Sequence, residues 1–115
     1  METYNNIACI YWDEGDFENA TRYFEEALRL TKSQATDNRQ QATVAGYRAV
    51  VMVYGKMLMS YKKYARAKEL FEEYLKVNLD DSEVKSLLQK CENIIGKARK
   101  LGSIVQHRDA ESSSA

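Results

Sequence analysis

The side chains best suited to chemistry are few and poorly placed for it. His107 is the one histidine, and it falls in the stretch SIVQHRDAESSSA, where the apolar period is lost. A histidine dyad or histidine metal site therefore has no partner in the core. Cys9 and Cys91 are the two cysteines, too few for a disulfide framework and too far apart for a CxxC pair. No base neighbours Cys9, so a small packing residue is the plainer reading of it than a reactive thiol. Glu25-Glu26, Glu72-Glu73 and Asp80-Asp81 suit solvated helix faces or caps, and the isolated Gly96 and Gly102 make no phosphate loop. These residues predict no catalytic site, no metal, no cofactor and no small-molecule substrate. The chemistry left is recognition.

Composition narrows the partner. Lys plus Arg number 17, as do Asp plus Glu, for a net charge of zero. That balance gives no electrostatic reason to expect nucleic acid, and no polybasic stretch addresses an anionic membrane surface. The stretch KARK, Lys97 to Lys100, suits a helix C-terminus complementing its dipole. The longest uncharged apolar run, Ala49 to Gly55, is far below the ~20 residues that span a bilayer. The N-terminal METYNNIACIYWDEGDFE is acidic from its second residue, unlike a signal or transit peptide. The expected location is cytoplasmic or another reducing compartment, cytoskeletal structures included.

With 115 residues, 44% of them hydrophobic and none of them proline, the chain suits one mainly helical domain. Tyr4, Ile7, Ala8 and Tyr11 form one stripe of a first helix from about Thr3 to Glu14. Gly15-Asp16 is a turn in which the glycine takes the left-handed position and Asp16 caps the next helix. That second helix, Phe17 to about Lys32, turns Phe17, Ala20, Phe24, Ala27 and Leu28 inward. After a turn near Thr36-Asp37-Asn38, with Thr36 or Asp37 as cap, a long third helix reaches Ser60. A fourth, Tyr64 to Val77, buries Ala67, Leu70, Phe71, Tyr74 and Leu75. Asp81 or Ser82 caps a fifth, at 82–102, with Val84, Leu87, Leu88, Cys91, Ile94, Ile95 and Ala98 on its stripe. Residues 103–115 read as a disordered tail.

Self-comparison finds one helix pair written twice. Ala20, Phe24 and Leu28 recur as Ala67, Phe71 and Leu75, each 47 positions further on. The same offset carries Ile7 to Tyr54, Ala8 to Gly55 and Tyr11 to Leu58. Large, small, large is preserved. Small residues at these positions let two helices approach to ~8–10 Å, and each pair alone leaves an apolar face that stacking must cover.

At Tyr4, Ile7, Ala8, Tyr11, Gly15, Phe17, Ala20, Phe24 and Ala27 the chain resembles the tetratricopeptide repeat family, at that family's spacing. The second unit keeps Gly55, Tyr64, Ala67 and Phe71. It has Tyr74 where a small residue is usual, Lys62 where glycine is usual, and Lys32 and Leu79 stand where the repeats end in proline. The family period is about 34 residues, so an offset of 47 implies longer helices around the Ser33–Gln41 junction. The resemblance covers roughly residues 1–79 and implies an all-α fold. Antiparallel helix-turn-helix repeats would stack as a right-handed α-solenoid, a repeat domain over 1–102 whose fifth helix is a solvating cap or a degenerate third first-helix.

The resemblance also implies a function. Proteins of this family take a peptide or helix of another protein in a concave groove lined by the first helix of each pair. The residues offset from the packing stripe are Asn5, Cys9, Trp12 and Asp13, then Met52, Lys56 and Met59. Trp12, Met52 and Met59 give an apolar strip, and Asn5, Asp13 and Lys56 offer hydrogen bonds to a bound backbone. One subfamily clamps a chaperone's C-terminal carboxylate with lysine and asparagine. Asn5 and Cys9 stand in those places here, which argues against that ligand. The alternative expectation is an architectural subunit, self-associating or joined to neighbouring repeats through its end helices, or part of a longer array.

Overall fold

The computed structural model describes the backbone of residues 2–114 and the side chains of residues 4–99. It contains α1 (Glu2–Asp13), α2 (Phe17–Asp37), α3 (Gln41–Ser60), α4 (Tyr64–Leu75) and α5 (Ser82–Ser114), with no strand among the described residues. Each helix packs chiefly on its neighbours in sequence: α1 on α2, α2 on α3, α3 on α4, α4 on α5. Short connections between long helices return the chain antiparallel at every step. The result is an all-α helical-repeat solenoid.

The two halves of the duplication share their turn geometry. Gly15 has φ 77°, with Asp16 N–H donating to the Tyr11 carbonyl and Gly15 N–H to that of Trp12. At the equivalent turn Lys62 has φ 61°, and the Lys63 and Lys62 amides bond the carbonyls of Leu58 and Met59. This is the Schellman pattern, which satisfies the free carbonyls at a helix end. Asp16 then caps α2, accepting the Asn19 amide at 3.2 Å and the Asn19 side-chain nitrogen at 2.7 Å. Lys63 precedes α4 without a side-chain cap. Asp81 caps α5 by accepting the Val84 amide at 3.2 Å.

Several boundaries differ from the sequence expectation, among them the end of α4, which stops at Leu75 and not Val77. Neither Thr36 nor Asp37 caps α3, because α2 continues through both. Thr36 Oγ1 turns back to the Lys32 carbonyl at 2.6 Å, and α3 starts after Gln40 with no side-chain cap. Nothing in SQATD breaks a helix, and Thr31 and Ala35 give that extension a buried side. The longer repeat thus comes from α2 and α3, at 21 and 20 residues, whereas α1 and α4 have 12 each. The fifth helix continues to Ser114, past the expected end near 102 and through the stretch read as a tail. The side chains of that stretch lie outside the described residues.

Small residues and rings hold the crossings. Ala8, Ala20 and Ala67 are fully buried, as are Phe24 and Phe71. Phe24 stacks on Tyr54 with ring centroids 5.2 Å apart, tying α2 to α3, and Phe17 meets Tyr61 at 4.7 Å. Tyr23 stacks against Tyr11 at 5.5 Å within the first pair. The core runs unbroken from Ala8 through Tyr47, Tyr54 and Tyr74 to Val84 and Cys91.

Candidate partner-binding face

Because α1 and α3 are related by the 47-residue offset, Asn5, Cys9 and Trp12 occupy the register positions of Met52, Lys56 and Met59. Asp13 corresponds to Ser60. Asn5, Cys9, Trp12 and Met59 are partly exposed, and Asp13 and Lys56 are exposed. Neither Asp13 nor Lys56 forms an ion pair with a described residue. Asn5 Oδ1 is itself buried and has no hydrogen-bond partner.

Met52 is the exception. At 7% exposure it belongs to the core and is removed from the candidate face. The reason is packing from both sides: α3 is covered by α2 and by α4, and its apolar residues run round most of its circumference. Cys9 is a free thiol whose pKa is raised, by burial first and then by the nearby Asp13 carboxylate. It stays protonated at neutral pH and is a poor nucleophile. Cys91 is free, buried and shifted the same way by desolvation.

A third lane follows from the reading of the fifth helix as a degenerate third first-helix, although its exposed residues are not among the sequence-predicted site residues. Val84, Leu87, Leu88 and Cys91 repeat the spacing of Tyr4, Ile7, Ala8 and Tyr11, and that spacing was the available signal. It makes α5 equivalent to α1 and α3. Lys85, Gln89 and Glu92 then take the positions of Asn5, Cys9 and Trp12, and all three are exposed. Gln89 Nε2 donates to Asn93 Oδ1 at 3.0 Å on the same helix.

Charged clamps fix these helices relative to one another. Glu25 of α2 accepts the Tyr54 hydroxyl of α3 at 2.5 Å and Arg66 of α4 at 2.8 Å. Arg48 of α3 donates to Asp81 at 2.6 Å and to Glu83 at 2.8 Å. Tyr74 donates to the same Asp81 carboxylate at 2.7 Å and accepts Asn78 Nδ2 at 3.1 Å. That explains an aromatic where the repeat usually has a small residue: the Tyr74 hydroxyl reaches past α4 to the cap of α5. Burial opposes ionisation of Asp81, but Arg48, Tyr74 and the Val84 amide together hold its pKa below the ordinary 3.8.

A charged cleft of about 450 Å³ lies along α4, lined by Arg66, Glu69, Glu72, Glu73 and Lys76. Its cations are engaged: Arg66 with Glu25 and Glu69, and Lys76 with Glu73, which Lys32 of α2 also reaches at 3.2 Å. Such a surface is a solvated ion-pair face. Among the described residues no group of three or more His, Cys, Asp or Glu is placed to hold a metal, and no helix is long and apolar enough to cross a membrane.

Residues 2–34 match the family model described as the tetratricopeptide repeat, a span that begins with α1 and takes in most of α2. No curated protein and no solved structure matches the chain. Repeats of this family generally mediate protein–protein interaction and are typically non-catalytic. Over residues 2–34 the chain is similar to a tetratricopeptide repeat, and the antiparallel helix pairs of the fold continue beyond that span.

Proposed function

We propose that the chain is a non-catalytic module that holds a peptide or helix of another protein across the matching stripes of α1 and α3. Trp12 and Met59 are the apolar contacts, Asn5 and Cys9 line the stripe, and Asp13 and Lys56 set the polarity. The observation that carries this reading is the shared register: at two equivalent pairs, Cys9 with Lys56 and Trp12 with Met59, both members keep exposed surface while the residues beside them are buried. Trp and Met suit such a surface because they supply large contact area. Unengaged Asp13 and Lys56 discriminate by charge. The free thiols of Cys9 and Cys91 support a cytoplasmic or other reducing location.

The test is the pair Trp12→Ala with Lys56→Glu. Partner capture should fall at least tenfold while the helical circular dichroism stays at the parent value. Undiminished capture refutes the groove reading.

A second reading, an architectural subunit joined through end helices, is favoured by Ile10 on α1, 56% exposed, and by partly exposed Ile94 and Ile95 on α5. Polar substitutions at Ile94 and Ile95 that break a complex, with the Trp12 and Lys56 changes silent, select this reading.

A further inference from the structure

We propose that a basic edge, formed by the α3–α4 turn and the middle of α5, docks an extended acidic segment of another protein. The stretch KARK begins on this edge. Its cations do not answer a helix end, because α5 runs on to Ser114 and a helix dipole acts only within the last turn. Nor are they balanced along the helix. Neither Lys97 nor Arg99 has a carboxylate three or four residues away, and the same holds for Lys62 and Lys63. All four are exposed, and none forms an ion pair with a described residue. Lys63 lies over the Phe17 ring at 5.9 Å. Other cations of α3 and α4 are engaged: Arg48 with Asp81 and Glu83, Arg66 with Glu25, Lys76 with Glu73.

Topology brings the two basic pairs to one level. Tyr74, near the end of α4, reaches Asp81 at the start of α5, and α4 runs back along α5 from there for 12 residues. The repeat register agrees. Val84, Leu87, Leu88 and Cys91 take the places of Val51, Tyr54, Gly55 and Leu58, which sets Ile94 and Ile95 level with Tyr61 and Lys62. Lys97 and Arg99 follow directly on α5. Packed helices lie ~8–10 Å apart, about three residues of extended chain. A segment with carboxylates repeated every third residue therefore meets Lys62 and Lys63, then Lys97 and Arg99.

The neighbouring turn selects the class of occupant. The α1–α2 turn stands at the same end and carries Asp13, Glu14 and Asp16. It repels a long polyanion laid across that end, and the net charge of zero offers such a polymer no wider attraction. A short acidic stretch of protein avoids the turn. The edge lies outside the groove stripe, so the inference goes beyond the function proposed above.

The probe is a capped peptide of four Glu-Glu-Gly units, titrated into the isotope-labelled full chain at about 0.15 M ionic strength. The expected result is saturable binding, with amide shift changes centred on Lys62, Lys63, Lys97 and Arg99. Lys62→Glu with Lys63→Glu should weaken it at least tenfold, as should Lys97→Glu with Arg99→Glu. Circular dichroism should not change, because all four side chains are already in water. Arg22→Glu with Arg39→Glu alters the same charge at exposed positions elsewhere and should weaken binding less than twofold. Trp12→Ala should leave it intact, which separates this edge from the groove. Absence of saturation overturns the proposal, and so does equal weakening by the Arg22 and Arg39 changes, which reduces the effect to net charge. A DNA duplex that binds more tightly than the peptide also overturns it, by assigning the edge to nucleic acid. Self-association abolished by Lys62→Glu with Lys63→Glu does the same, by assigning it to a second copy.

Discussion

Gly55 of α3 and Phe71 of α4 approach so closely that a Cβ on the glycine would stand 2.4 Å from the ring. The counterpart pair at the first crossing is Ala8 and Phe24, where a methyl group fits. Gly55→Ala gains helix propensity of ~1 kcal/mol but forces a buried ring to move. The clash wins, because Phe71 is fully enclosed. We expect net destabilisation of about 1–2 kcal/mol, seen as a lower urea midpoint at unchanged slope. Gly55→Ala combined with Phe71→Leu should be less damaging than the two single changes added together.

The turn before α4 lacks the residues that serve the turn before α2. Lys62 adopts φ 61°, a conformation that glycine takes without a Cβ penalty. Lys62→Gly should therefore stabilise by about 0.5–1 kcal/mol, after the entropy lost from a freer unfolded chain is deducted. Lys63→Asp copies the Asp16 cap and should add ~1 kcal/mol. Thermal unfolding of the double variant measures both, and a lower midpoint than the parent refutes the equivalence of the two turns.

Asp81 links acid sensitivity to the attachment of α5. Its folded-state pKa is depressed, so its contribution is fully present above the unfolded value and is lost as pH falls through the folded one. Asp81→Asn should be less stable at pH 7, by about 1–2 kcal/mol for the weakened cap and clamp. The gap to the parent should narrow as the pH is lowered below 4 and the parent carboxylate takes up its proton. Urea unfolding across that range reads the effect.

Tyr47 is fully buried, with ring centroid 5.4 Å from Tyr74, and its hydroxyl has no hydrogen-bond partner. Burial, with a smaller push from Glu73, raises its pKa to about 12. A raised tyrosine pKa contributes stability that is present below pH 10 and lost as pH climbs through the folded value. Tyr47→Phe removes an orphaned polar group and should stabilise by ~1 kcal/mol at pH 7. It should also move alkaline unfolding, followed by circular dichroism, to higher pH. An unfolding midpoint below that of the parent contradicts the assignment of an unpaired hydroxyl.

Much of the fold was readable because helical periodicity is local. Ala20 and Ala67, Phe24 and Phe71, Ala8 and Gly55 sit at one constant offset, and all are buried at helix crossings. Gly15 and Asp16 declared their turn by residue type alone. The candidate face was less legible. Met52 is the same kind of residue as Met59, yet the core takes one and leaves the other partly open. A helix packed on two sides has no polar face from which the open stripe can be read. For α5 the sequence left a cap and a degenerate third first-helix both open, because its repeat follows α3 at a shorter interval than α3 follows α1.

The sequence by itself determined the helices, their duplication and the absence of histidine chemistry in the repeat, since these depend on residue type and short spacing. Only the tertiary structure decided that Tyr74 reaches Asp81, that Arg66 and Tyr54 share Glu25, and that Ile10 faces water while Met57 is sealed. Those outcomes require elements distant in sequence to meet at fixed distances. Such meetings are set by how helices nest against one another, which no single stretch of residues encodes.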